Sequence, residues 1–174
     1  MTLPAAAIMR PRNAGGLPRQ RLRLWLRLLR ASRGMEAELR ERLRVTYDLT
    51  LPQFDVLAAV ARRHEGLTMT GLSRYLMVSN GNVTGIVDRL VNDGWLMRVE
   101  IPGDRRARRV RLTPRGHADF TAMAAVHARW VDELLDGFGK ADTADLILKL
   151  DRLVGKLRDR DQESQPSRKR GARK

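Results

Sequence analysis

The sequence predicts a mostly α, α+β fold: a run of helices interrupted once by a small β-ribbon. Three observations carry this. Apolar residues recur at spacings of three and four along most of the chain, from Leu22 to Leu157. Strand-like apolar positions cluster in residues 96–112, on either side of a Pro-Gly-Asp turn signal. Residues suited to capping stand where the helical patterns begin.

Taken in order, residues 1–17 are rich in Ala, Pro and Gly and are expected to be a disordered arm. Residues 18–46 read as a helix with Leu22, Trp25, Leu26 and Leu29 on one face and Arg23, Arg27 and Arg30 on another. Leu39 and Leu43 continue the apolar pattern past Gly34, a candidate kink. Thr50-Leu51-Pro52-Gln53 matches a capping box and opens a helix through Phe54, Leu57, Ala58 and Val60 to about His64. Gly66, Leu67 and Thr68 suit a short strand beside the ribbon. Thr68 or Thr70 caps the next helix, in which Leu72, Tyr75 and Leu76 face inward and Ser73 and Arg74 stay available for phosphate contacts.

Ser79 is placed to cap a further helix, its hydroxyl accepting from a first-turn N–H that has no helical partner. Val83, Ile86, Val87, Leu90 and Val91 form the apolar face of that helix. Asn80, Gly81, Asn82 and Thr84 open the polar face, which continues to Asp88 and Arg89. Gly94 suits the left-handed residue that ends a helix. Leu96, Val99, Ile101, Val110 and Leu112 supply the ribbon, and Arg105, Arg106, Arg108 and Arg109 crowd its tip and returning strand, with Asp104 the lone acid. Thr113 and Pro114 then start a helix expected to reach about Phe138, with Met123, Val126, Trp130, Leu134 and Leu135 on its apolar stripe. Over residues 141–158, Leu146, Leu150, Leu153 and Leu157 form a helix-packing seam. Residues 161–174 are polar, end in Arg168, Lys169, Arg170, Arg173 and Lys174, and are expected to be a disordered basic tail.

Supporting helix, turn, polar-fronted helix and arginine-loaded ribbon make a winged helix-turn-helix over residues 50–113. This module sets one helix in a DNA major groove and a basic loop beside it. Short side chains at the front of such a helix reach base edges, and Asn82 can contact a base or a phosphate. A guanidinium-rich tip is tolerable where it meets phosphates or a narrow, electronegative minor groove. The candidate DNA-binding residues are therefore Ser73, Arg74, Ser79, Asn80, Gly81, Asn82, Thr84, Arg89, Asp104, Arg105, Arg106 and Arg108.

The pattern Asp104-x-Arg106-x-x-x-Val110-x-Leu112-Thr113, behind "SNGNVTGIVDRLVNDGWL", resembles the MarR family of bacterial transcriptional regulators. The likeness extends more weakly over residues 18–158. It implies a domain spanning 18–160, in which helices at 18–46 and 114–158 pack against their copies in a homodimer. It also implies that Asp104 orients Arg106 into the minor groove. A two-fold dimer would set recognition helices about 34 Å apart, matching a pseudo-palindromic operator in double-stranded DNA. The resemblance further implies a repressor released by a small-molecule effector, held between the dimerisation helices and the winged module. Trp25, Tyr47, His127, Arg129 and Trp130 are the candidates for that site, with Phe54 and Met123 on the same elements; core packing is the competing role of the apolar ones. "VSNGNVTGIVDRLV" most resembles a subgroup controlling aromatic-acid catabolism, which points to an aromatic acid or its coenzyme A thioester.

The composition agrees with a polyanionic partner: the formal charge is +14 over 174 residues. The alternative function is a ligand-independent architectural DNA-binding protein driven by the basic tails. Basic amphipathic helices also lie on membranes, but the adjoining DNA-binding module favours a protein-facing role for residues 18–46. No transmembrane run or signal peptide is evident, so a cytoplasmic location without membrane contact is expected. Cysteine is absent, which excludes disulfides, iron–sulfur ligation and the thiol switch of some MarR relatives. His64, His117 and His127 lack metal-ligand spacing, and no nucleophile–base set, P-loop or dinucleotide fingerprint is present. No catalytic residues, metal or cofactor are expected, and no RNA-stacking motif appears.

Overall fold

The computed structural model describes residues 16–101 and 104–163, with side chains for all of these except 104–107 and 161–163. The elements are α1 (Leu17–Tyr47), α2 (Leu51–Ala61), β1 (Leu67–Thr68), α3 (Met69–Leu76), α4 (Asn80–Asn92), β2 (Leu96–Ile101), β3 (Asp104–Leu112), α5 (Pro114–Leu134) and α6 (Lys140–Glu163). The strands form one antiparallel sheet in the order β1-β3-β2. Leu96 pairs with Leu112 and Leu67 with Val110, and a bulge falls at Glu100/Ile101, next to the tip. The chain divides into two units, one ending at Ala128 and one beginning at Arg129.

The first unit is built around α2. Phe54, Val56, Leu57, Ala59 and Val60 are all buried, so this helix is apolar around most of its circumference, as a central core helix must be. Its start is fixed by the expected capping box. The Thr50 hydroxyl accepts from the Gln53 N–H at 3.4 Å, and Gln53 Oε1 accepts from the Thr50 N–H at 2.8 Å. Gln53 is thereby buried with its acceptor satisfied. Leu39, Leu43, Leu49, Leu72, Val83, Val87, Leu90, Leu96, Val110, Phe120 and Met123 are the other buried apolar side chains of the core. Full burial of each large apolar side chain is worth roughly 1.5–3 kcal/mol.

A four-residue node centred on Thr113 ties the sheet to α5. The Thr113 hydroxyl donates to the Gly94 carbonyl at 2.8 Å and accepts from the Gly116 N–H at 2.9 Å, while the Thr113 N–H donates to the Trp95 carbonyl at 3.0 Å. Gly94 has φ 78°, the left-handed conformation expected after α4. Gly116 is required for a different reason: a β-carbon there would lie 2.1 Å from the Trp95 oxygen.

Several boundaries differ from expectation. α1 starts at Leu17, inside the stretch expected to be a disordered arm, and runs through Gly34 without a break; residues 1–15 lie outside the described residues. α2 ends at Ala61, short of His64, with Arg62 as its C-cap. α5 ends at Leu134 rather than Phe138, because the glycines at 137 and 139 make the last turn costly and a tight turn from Leu135 to Phe138 replaces it. α6 runs to Glu163, past the expected start of the basic tail at residue 161, since no Gly or Pro interrupts the sequence between Lys156 and Gln165; residues 164–174 lie outside the described residues.

Two apolar surfaces remain open. On α1, Leu22, Leu24, Trp25, Leu26 and Leu28 are exposed. On α6, Leu146, Leu150, Leu153 and Leu157 are each 39–52% exposed. Among the described residues, no helix is long and apolar enough to cross a membrane.

Candidate nucleic-acid interface

α3 and α4 supply the two helices of the module. The Thr68 hydroxyl accepts from the Gly71 N–H at 3.1 Å and starts α3, which settles the choice between Thr68 and Thr70. The Ser79 hydroxyl accepts from the Asn82 N–H at 3.4 Å and starts α4. Between them, Met77 takes the left-handed conformation, φ 55°, and is 91% exposed. Val83, Val87 and Leu90 anchor α4 to the core, with Ile86 and Val91 half-buried. This leaves Asn80, Gly81, Asn82, Thr84 and Arg89 exposed.

These exposed groups are not equally free. The Thr84 hydroxyl donates to the Asn80 carbonyl one turn back, at 2.8 Å. Arg89 lies 3.9 Å from Asp93. Asn82 sits on a flank of α4 and lines a cleft of about 430 Å³ with Pro52, Asp55, Leu76, Val78 and Ile86. In that cleft, loss of water and the charge of Glu36 push the Asp55 carboxyl above its ordinary range. Asp88 is bound to Arg98 of β2 in an ion pair.

Two expectations about α3 are corrected. Ser73 does not keep its hydroxyl proton for a phosphate: it donates to the Val78 carbonyl at 2.5 Å, closing the turn into α4. Tyr75 does not face inward with Leu72 and Leu76. It is 43% exposed, and its hydroxyl accepts from Arg62 Nη1 at 3.1 Å. Arg74 is exposed, as expected.

Of the wing residues, Arg108 is exposed, and Arg109 lies 3.7 Å from Glu65 in the α2–β1 turn. Pro102 and Gly103, and the side chains of Asp104, Arg105 and Arg106, lie outside the described residues.

A second cavity, of about 370 Å³, lies against α2 and α5, lined by Phe54, Ala58, Ala61, Arg62, Phe120, Ala124 and His127. The Phe54 and His127 rings stack with centroids 4.3 Å apart, and Phe120 tilts against Phe54 at 5.6 Å. Burial holds His127 below its ordinary pKa and so favours the neutral imidazole. Of the five effector candidates, His127 alone lines this cavity. Trp25 is exposed on α1, Tyr47 is half-buried at the end of α1, and Arg129 and Trp130 belong to the second unit. Met123 is packed in the core. The sequence reading missed Arg62 and Phe120 as cavity residues. Phe54, Ala58 and Arg62 recur every fourth residue, and Phe120, Ala124 and His127 at four and three, so the shared faces were readable as two stripes. Among the described residues, no cluster of His, Asp or Glu could hold a metal ion.

Comparison with known proteins fits this architecture. A model of the MarR family matches residues 47–107, the winged module. The HTH-type transcriptional regulator PecS of Dickeya dadantii is 31% identical over 109 residues, covering 62% of this chain and 66% of PecS. The multiple antibiotic resistance protein MarR of Salmonella typhimurium is 34% identical over 110 residues, covering 63% of this chain and 74% of that protein. Among solved structures, a MarR variant from Escherichia coli in complex with operator DNA superposes with a TM-score of 0.67 at 28% identity, covering 79% of this chain and 98% of that one. The chain belongs to the MarR family of transcriptional regulators, not to a class of enzymes.

Proposed function

We propose that this protein is a sequence-specific DNA-binding repressor that acts as a homodimer and is released by a small-molecule effector. The observation that carries the reading is the exposed, Ser79-capped front of α4 beside an arginine-rich β-ribbon, on a chain similar to a protein solved with operator DNA. Asn80, Gly81, Asn82 and Thr84 would face the major groove, and Arg105, Arg106 and Arg108 the minor groove or phosphates, with Asp104 orienting Arg106. Ser79 serves the helix start. Arg74 and Arg89 would bind backbone phosphates, roles that position the protein without reading sequence.

The open apolar surfaces of α1 and α6 support the dimer, because contiguous exposed apolar patches of this kind mark interaction sites. The cavity beside Phe54 and His127 supports the effector reading: its aromatic walls fit a planar ring, which favours an aromatic acid or its thioester.

Selection of bound fragments from the source genome, followed by anisotropy titration of the recovered site and a scrambled duplex at fixed salt, tests this reading. A pseudo-palindrome bound by two chains is expected. Equal affinity for both duplexes would identify an architectural DNA-binding protein instead. A promoter fusion carrying the recovered site gives the regulatory sign, and repression is expected.

A further inference from the structure

We propose that Arg62 is the anion-recognising residue of the cavity beside Phe54, and that an aromatic carboxylate bound there takes Arg62 away from Tyr75 on α3. The proposal rests on the reading of this cavity as the effector site and adds to it the residue that recognises the acid's charge and a route to the helix-turn-helix. Arg62 carries the permanent charge among the residues lining the cavity; the others are apolar, apart from His127, whose burial favours the neutral ring. Its guanidinium is held by a neutral phenol, Tyr75 Oη, at 3.1 Å. The acid nearest in sequence, Glu65, lies beside Arg109. Arg63 and Arg109 line an adjoining groove that also includes Arg62, so the surroundings are electropositive.

A carboxylate is the stronger acceptor. Charge-assisted hydrogen bonds are roughly twice as strong as neutral ones, and a guanidinium offers a carboxylate two parallel N–H groups. A ring lying in the cavity against Phe54 and Phe120, with its carboxylate toward Arg62, would therefore compete with Tyr75 for the same side chain. Tyr75 lies two residues before Met77, at which the chain turns toward α4. The ligand-free state keeps the Arg62–Tyr75 bond and the ligand-bound state gives it up, and a difference of that kind is what lets a ligand shift an equilibrium.

The experiment uses the full chain with benzoate and its neutral analogue benzamide, binding being read by calorimetry and saturation-transfer NMR. Benzoate is expected to bind at least about tenfold tighter than benzamide, the margin of one charge-assisted contact. Arg62→Gln should remove that preference. Tyr75→Phe should tighten benzoate roughly two- to tenfold, by removing the one hydrogen bond it displaces, leave benzamide unchanged, and shrink the effect of benzoate on DNA binding. Both residues are exposed, so these variants should fold. Ala124→Leu, which fills the cavity, should abolish binding of both probes. Benzoate binding that survives Ala124→Leu, or a wild type that binds neither probe, would overturn the effector reading of the cavity and this proposal with it. Loss in Ala124→Leu with the preference intact in Arg62→Gln would leave the cavity standing and overturn Arg62. Unchanged benzoate affinity in Tyr75→Phe would overturn the exchange.

Discussion

Asp88 of α4 and Arg98 of β2 form an ion pair, ten residues apart in sequence, that clips the recognition helix to the first strand of the wing. Both side chains are more than a third exposed, so the pair contributes under about 1 kcal/mol to stability. Its consequence lies in charge: an acid on the polar face of α4 holds a basic residue of the adjoining wing strand.

Asp88→Ala is therefore expected to leave thermal stability nearly unchanged and to tighten DNA binding at low salt by freeing Arg98. The slope of log K against log salt should steepen by about 1 if Arg98 then reaches a phosphate. Anisotropy titrations at several salt concentrations check this. Weaker binding at every salt would mean that the pair orients the wing, and that its electrostatic role has been misassigned.

Arg106→Ala should weaken operator binding with the dimer and the melting temperature preserved, because the contact proposed for Arg106 is made to DNA and not to the protein core. Light scattering and anisotropy on the same sample separate the two effects. Wild-type affinity at physiological salt would remove Arg106 from the interface.

Met77→Gly should stabilise the protein. A non-glycine residue in the left-handed region costs roughly 1 kcal/mol, and the Met77 side chain, 91% exposed, recovers little of this by packing. A melting temperature a few degrees higher is expected, and a lower one would show that the Met77 side chain makes a stabilising contact.

His127 sets a pH dependence with a defined sign. Burial lowers its pKa in the folded state below the ordinary 6.5. Above 6.5 the imidazole is neutral in both the folded and unfolded states. As pH falls below 6.5, the unfolded chain takes up the proton first, and stability declines until the lowered folded-state pKa is passed. His127→Phe keeps an aromatic ring against Phe54 without a titrating group. The stability difference between wild type and His127→Phe should thus move against wild type between pH 7 and pH 5. A constant difference across that range would contradict the burial assignment.

Local features were the most legible in the sequence. The Thr50–Gln53 box, the Ser79 and Thr113 caps and the Gly94 terminator all form within about three residues of themselves, so a short window contains both partners. The apolar stripe of α4 was readable for the same reason. Pairings between elements were not. Asp88–Arg98, Phe54–His127 and Arg62–Tyr75 depend on how the helices and the sheet pack, and a hydroxyl such as that of Ser73 is as well suited to a phosphate as to the Val78 carbonyl that it bonds. Tyr75 was misplaced because its spacing from Leu72 fits an inward face, while its phenol needs a polar partner and finds one outside. The effector set was drawn from elements that span both units, and the cavity within the first unit takes His127 from it.

The central claim, sequence-specific reading of DNA by the front of α4, is tested most directly with Asn82→Ala and a panel of single-base variants of the recovered operator, at several salt concentrations. Wild type should lose roughly 1–3 kcal/mol at the positions it reads, and Asn82→Ala should lose its preference at one position of each half-site while the salt slope stays the same. If wild type binds every member of the panel alike, the account is contradicted at its core. If only Asn82→Ala shows a uniform loss with a shallower slope, Asn82 belongs to the phosphate contacts and the reading passes to its neighbours on α4.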